Sequence, residues 1–196
     1  MKKTLLLSGC FAAFSMAALA QEAPPGGIAP DMPDKFEVAD SSFDYVRKDV
    51  MIPMRDGTKL YTVILIPKAA HDAPILLTRT PYSADHMVSY AYSGHMNSIM
   101  QGYDNMPDVI ADGGYIRVIQ DVRGKHGSEG SYVMARPQRG PLNGTQVDYS
   151  TDTWDTIEWL LHNLPQSNRK VGIIGSSYDG YTALTALFHP HPALKV

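Results

Sequence analysis

Two periodicities run along this chain. From residue 46, apolar and polar positions alternate, the two-residue period of a strand; from residue 151, apolar positions recur every three or four residues, the period of a helix. Residues 46–54 alternate imperfectly and predict a strand. Arg55-Asp56-Gly57-Thr58 predicts a hairpin turn, because Asp-Gly supplies the positive φ that the turn requires. Residues 59–67 (KLYTVILIP) predict the returning strand, and residues 74–80 (PILLTRT) a short apolar strand stopped by Pro81. Residues 97–111 read as helical in part, ended by Gly113-Gly114. Residues 115–122 (YIRVIQDV) predict another strand, followed by a glycine-rich loop at 123–130 and a loop at 140–148. Residues 151–164 predict a helix whose Trp154, Ile157, Leu161 and Leu164 share one face. Asp152 and Asp155 fall in its first turn, where the helix dipole favours negative charge. Residues 170–175 (KVGIIG) predict a buried strand, 179–188 a further helix, and 194–196 the start of one more strand. The order predicts an α/β fold, a mostly parallel sheet with an N-terminal antiparallel hairpin and helices on its faces.

The first forty residues read differently. Lys2 and Lys3 precede an apolar run over 4–20 that closes in Ala18-Leu19-Ala20 before Gln21. That is the layout of a secretory signal peptide at residues 1–20. The run is short for a membrane span, which needs roughly 20 apolar residues. Leu7-Ser8-Gly9-Cys10 has the look of a lipoprotein box, but too few apolar residues precede it. Residues 21–40 are rich in Pro, Gly and Ala and predict an extended arm or linker. The expected location is periplasmic or secreted, with no membrane association after cleavage.

Composition narrows the chemistry. Of 196 residues, 44% are apolar and 19% charged, which places the chain among globular proteins. Its 17 basic and 20 acidic residues are too balanced for a nucleic-acid binder. Loss of residues 1–20 would take Lys2, Lys3 and Cys10, leaving a formal charge of about −5 and no thiol. Disulfides, a cysteine nucleophile and cysteine-rich zinc sites are then excluded. The histidines lack H-E-x-x-H spacing, and Asp148, Asp152 and Asp155 lack the mid-loop glycine of a calcium loop. The 121–130 loop lacks the G-x-x-x-x-G-K-[ST] order of a phosphate cradle. No cofactor and no metal is expected. Asp121 and Arg123 are expected to form an ion pair that holds that loop.

The sharpest chemical feature is Gly172-Ile173-Ile174-Gly175-Ser176-Ser177-Tyr178-Asp179-Gly180, an apolar strand running straight into a helix with serine at the joint. A nucleophile elbow needs that context, and needs a small residue two positions before the serine. Gly175 meets this need for Ser177, whereas Ile174 fails it for Ser176. Ser177 is therefore the candidate nucleophile, although Asp179 stands where the G-x-S-x-G pattern has glycine. The competing reading is a serine that merely caps a helix. The backbone N–H of Tyr178, next after the nucleophile, is the candidate oxyanion donor. A serine needs a base, but His189 and His191 sit at the far end of the helix that begins at the elbow, roughly 15 Å away at about 1.5 Å per residue. The acid and base are expected beyond Val196, which makes the chain the N-terminal part of a larger domain, inactive alone.

Here the chain resembles the X-Pro dipeptidyl-peptidase and cocaine-esterase family of α/β-hydrolases, whose elbow is G-x-S-Y-x-G. Gly175-Ser176-Ser177-Tyr178-Asp179-Gly180 matches it, as do Arg79-Thr80-Pro81-Tyr82 and Asp121-Val122-Arg123-Gly124 with the loop through Gly130. Within the family, the 121–130 stretch and residues 136–161 look most like α-amino-acid ester hydrolases. The resemblance implies an α/β-hydrolase fold, N-terminal part only, over residues 41–196. It implies that Ser177 attacks the acyl carbonyl, with the Tyr178 N–H and the Tyr82 phenol as oxyanion donors. It further implies a small-molecule α-amino acid ester as substrate, an acyl-enzyme, acyl transfer to water or to an amine such as a β-lactam nucleus, and a homo-oligomer. An X-Pro dipeptidyl peptidase, a simple carboxylesterase and a non-catalytic binding protein with an incomplete triad are the alternatives.

Overall fold

The computed structural model describes residues 43–89, 91–100, 104 and 106–196. The predicted signal peptide at 1–20 and arm at 21–40 lie outside the described residues.

Strand β1 (Tyr45–Pro53) pairs antiparallel with β2 (Lys59–Pro67) through the expected turn at Asp56-Gly57. β3 (Ala73–Thr80) leads through two short helices, α1 (Ala84–Met87) and α2 (Met96–Met100), to α3 (Pro107–Asp112) and β4 (Ile116–Asp121). A long loop then reaches α4 (Tyr149–Asn163), β5 (Ser167–Ile173) and α5 (Tyr178–Thr185), which tightens into a 3₁₀ turn at Ala186–Phe188. The sheet order is β1-β2-β4-β3-β5. β2 runs antiparallel to both β1 and β4, while β3, β4 and β5 are parallel, so β2 alone opposes the other four. Residues 194–196 begin a fifth pairing, on the free side of β5: Leu194 bridges Val171 in parallel, and the Ile173 N–H donates to the Val196 carbonyl at 2.7 Å.

Strand period sorts side chains to the two faces. In β2, Leu60, Ile64 and Ile66 join Ile157, Leu160 and Leu161 of α4, while Val63 and Leu65 face Met87, Ile99, Met100 and Ile110 of α1 to α3. Burial on both faces is why this strand reads as a continuous apolar run.

Helix α4 begins two residues before the expected start. Asp148 caps it reciprocally: its carboxylate accepts from the Thr151 N–H at 2.8 Å and its own N–H donates to Thr151 Oγ1. Such a cap contributes about 1 kcal/mol. The apolar face of α4 is Ile157, Leu160, Leu161 and Leu164. Trp154, expected on it, packs instead on the His191 ring, 4.6 Å between centroids. The first two turns of α4 bury Thr151, Asp152, Thr153 and Thr156.

Candidate active site

β5 delivers the chain to the elbow at the end of the sheet, where the Ile174 N–H donates to the Leu77 carbonyl of β3. Ser177 follows with φ 53° and ψ −124°. A non-glycine residue there is strained by about 1–3 kcal/mol and persists only where its surroundings enforce it. Ser177 is exposed, and although it occupies the N-cap of α5 its side chain makes no capping hydrogen bond. Helix capping, the ordinary employment of a serine at this position, is therefore not what holds it.

The enforcing contact is with the next turn. A Cβ at Gly175 would lie 2.3 Å from the Asp179 carbonyl carbon, and one at Gly180 would lie 3.1 Å from the Gly175 oxygen. Gly175 has no room for a side chain because α5 starts hard against the strand end, and Gly180 packs tightly on the same turn. Ser176 and Ser177 part company: Ser176 lines a cavity of about 170 Å³ with Thr78, Arg117, Gly175 and Asp179, and Ser177 does not. A larger cavity, about 660 Å³, is lined by β1 residues with Val88, Ser89 and Ala91 to Ser93 and contains no elbow residue.

Tyr178 is the first residue of α5, and its N–H, among the donors that an α-helix leaves open, has no acceptor among the described residues. Its phenol is tied down: the Ala135 N–H donates to it at 2.9 Å, and the Tyr149 hydroxyl lies 2.9 Å away. Tyr132 packs 6.5 Å from it. Burial, with Tyr178 and then Tyr82 nearby, pushes the Tyr132 phenol up to about 12. Tyr82 lies just past β3 and is half exposed.

The turn that presents Tyr82 is clasped by the glycine-rich loop. Asp121 accepts from the Ala84 N–H at 2.7 Å and from the Gly127 N–H at 3.0 Å. His126 Nε2 is 2.9 Å from the Pro81 carbonyl, which only accepts, so Nε2 carries the proton. Gly124, at φ 72°, lets the loop close; a Cβ there would lie 2.1 Å from the Tyr132 nitrogen.

The expected Asp121–Arg123 ion pair does not form. The chain turns at Val122–Gly124, so the two side chains leave in different directions. Arg123 donates to Asp152 of α4 (2.6 and 3.2 Å) and to Asp56 of the hairpin turn (2.7 and 3.3 Å). The Asp121 carboxylate accepts from backbone amides, and burial raises it despite them.

Asp152 serves a second guanidinium. Arg79, with no exposed surface, has Nη2 3.6 Å from Asp152 and donates to Gln120, to the Tyr149 carbonyl and to Thr153. Thr182 of α5 donates to the Arg79 carbonyl at 2.6 Å. The Arg79-Thr80-Pro81-Tyr82 motif thus locks β3 to both α4 and α5 just below the elbow. The buried polar face of α4 is invisible to periodicity, since its partners lie up to 74 residues upstream.

Among the described residues, no group of three or more His, Cys, Asp or Glu is arranged to hold a metal ion, and no histidine hydrogen-bonds to Ser177.

The chain has known relatives. The X-Pro dipeptidyl-peptidase (S15 family) profile matches residues 56–196. Cocaine esterase of Rhodococcus sp. (strain MB1 Bresler) is 35% identical over 137 residues, 70% of this chain and 20% of that protein. Among solved structures, an α-amino acid ester hydrolase shares 57% identity at a TM-score of 0.78, over 86% of this chain and 28% of that one. An aminopeptidase from a marine sediment archaeon, Thaumarchaeota archaeon, shares 50% at 0.76, over 86% and 27%. The chain therefore spans about a fifth of the curated relative and little more than a quarter of the two structures. A profile match from the hairpin turn through the elbow, joined to this sheet order and these relatives, establishes that the chain belongs to the X-Pro dipeptidyl-peptidase (S15) family.

Proposed function

We propose that this chain supplies the nucleophile-bearing part of an exported serine esterase acting on α-amino acid esters. The observation that carries the reading is Ser177: exposed, uncapped and held at φ 53° by glycine contacts. Its Oγ attacks the acyl carbonyl while a base from outside these residues takes the proton. The carbonyl oxygen, now negative, accepts from the Tyr178 N–H and the Tyr82 hydroxyl at the positive end of α5. The C–O bond breaks, the leaving alcohol takes a proton, and an ester on Ser177 remains. Attack by water on that ester releases the acid; attack by an amine, such as that of a β-lactam nucleus, gives an amide.

The amino acid ester preference is supported by the 57% identity to the α-amino acid ester hydrolase. Peptide bond cleavage is the second reading, favoured by the 50% identity to the archaeal aminopeptidase. The leader-like residues 1–20 support export to the periplasm or beyond.

In the full-length protein, Ser177→Ala should abolish turnover of an amino acid methyl ester and labelling by a fluorophosphonate probe, while Ser176→Ala keeps most of both. The reverse result overturns the assignment. Faster turnover of an amino acid p-nitroanilide than of the ester would select the aminopeptidase reading.

A further inference from the structure

We infer that Tyr149 is a positioning residue for the elbow: through Tyr178 it closes a hydrogen-bonded clip that fixes both the oxyanion N–H and residues 133–135 beside it. The inference deepens the esterase reading and rests on it.

The proton positions follow from which atoms accept. Tyr149 Oη lies 3.1 Å from the Val133 carbonyl and 2.9 Å from Tyr178 Oη. A carbonyl has no proton to give, so the single hydroxyl proton of Tyr149 goes to Val133. Between the two phenols Tyr149 must then accept, and the proton there belongs to Tyr178. The Tyr178 oxygen, having given its proton away, accepts the Ala135 N–H at 2.9 Å. Three bonds thus run one way, from Ala135 N–H to Tyr178 to Tyr149 to Val133 C=O, and the 133–135 backbone closes the ring. Hydrogen bonds in series polarise one another in a low-dielectric setting.

One end of the clip is rigid. Tyr149 is 5% exposed and is the first residue of α4, directly after its capping Asp148. Arg79 holds its carbonyl at 2.9 Å and stands 5.9 Å from its ring centre, and Tyr181 meets the ring edge-on at 5.8 Å. Burial and then the Tyr178 bond raise its phenol, so it keeps its proton through the working pH range. The other end is the residue whose N–H faces the developing charge. Donors aimed in advance account for a large share of oxyanion stabilisation, and a small misalignment is enough to lose much of it. Ala135, at φ 48°, is itself held in a left-handed conformation where the clip ends. Met134, between the two clipped residues, is 72% exposed.

The test compares Tyr149→Phe, Tyr178→Phe and the double variant in the full-length enzyme, with an amino acid methyl ester and a fluorophosphonate as probes. Phenylalanine keeps both rings and removes only the hydroxyls. Each single variant should lower kcat by about tenfold with KM within about twofold and an unchanged melting temperature. The double variant should be no slower than the slower single one, since either change opens the same clip. Fluorophosphonate labelling should slow by the same factor. Wild-type kcat in either single variant, additive losses in the double, or a loss that tracks a lower melting temperature would each overturn the clip. Should Tyr149→Phe fail to fold, Tyr178→Phe alone decides by the same kcat and KM criteria. A wild-type enzyme unlabelled at Ser177 would instead sink the esterase reading beneath it.

Discussion

The backbone of Asp179 occupies the space that any side chain at Gly175 would need: a Cβ there would stand 2.3 Å from its carbonyl carbon and 2.4 Å from its oxygen. Backbone on both sides leaves nothing flexible to give way. Gly175→Ala should therefore push Ser177 out of its φ 53° conformation, abolish fluorophosphonate labelling and reduce stability by about 1–3 kcal/mol. Gly144→Ala, where no atom lies within 4 Å, should change neither. Labelling rates and urea midpoints on the two variants decide the matter.

Tyr82→Phe removes one half-exposed hydroxyl at the turn after β3. If that hydroxyl meets the oxyanion, kcat on an amino acid ester should fall by about 10²-fold or more with little change in KM. Steady-state kinetics that show an unchanged kcat remove Tyr82 from the oxyanion site.

Asp152→Asn withdraws the carboxylate that Arg79 and Arg123 share, leaving buried Arg79 with no carboxylate among the described residues and Arg123 with Asp56 alone. Breaking a buried pair at one partner typically costs about 3–5 kcal/mol. The denaturation midpoint should drop accordingly at a constant slope. A shift of less than about 1 kcal/mol, the range of exposed pairs, would mean that water reaches both arginines.

Acid should unfold the protein partly through Asp56 and Asp148. Burial alone would raise both carboxyls, but Arg123 beside Asp56, and the Arg139 and Thr151 amides on Asp148, hold them below the ordinary range. A depressed folded pKa gives stability that is present above the unfolded value, about 3.9, and is lost as pH falls through the folded one. Asp121 works in the opposite sense: burial raises it, so its contribution is full below the unfolded value and fades as pH rises. The unfolding free energy should fall steeply below about pH 4. Asp56→Asn should flatten that limb in a pH series of urea titrations, and an unchanged slope refutes the assignment.

The strands and the elbow were legible because each is written locally. β2 occupies the residues its apolar run marks, and the tight strand-to-helix turn falls where Gly175 and Ser177 sit two positions apart. Pairings across the fold were not legible. Asp121 and Arg123 sit two apart, which on a continuing strand would place them on one face; the turn at Gly124 separates them instead. In the sequence Asp152 reads as a first-turn residue facing the helix dipole, since nothing near it announces arginines 29 and 73 residues upstream. The bond between Tyr149 and Tyr178 obeys no spacing rule, as it forms only once α4 and α5 lie side by side.

A helix that meets its sheet through leucines alone can slide or roll a little and find another fit. α4 meets β3 and the loop after β4 partly through one aspartate and two guanidiniums, so a slip of one turn, about 5.4 Å, would strand Asp152 and Arg79 in a dry seam and leave Arg123 with Asp56 alone. Asp152 thus acts as a key for docking: off-register assemblies are disfavoured far more strongly than greasy contacts alone would allow. The same key fixes where Tyr149 stands three residues earlier.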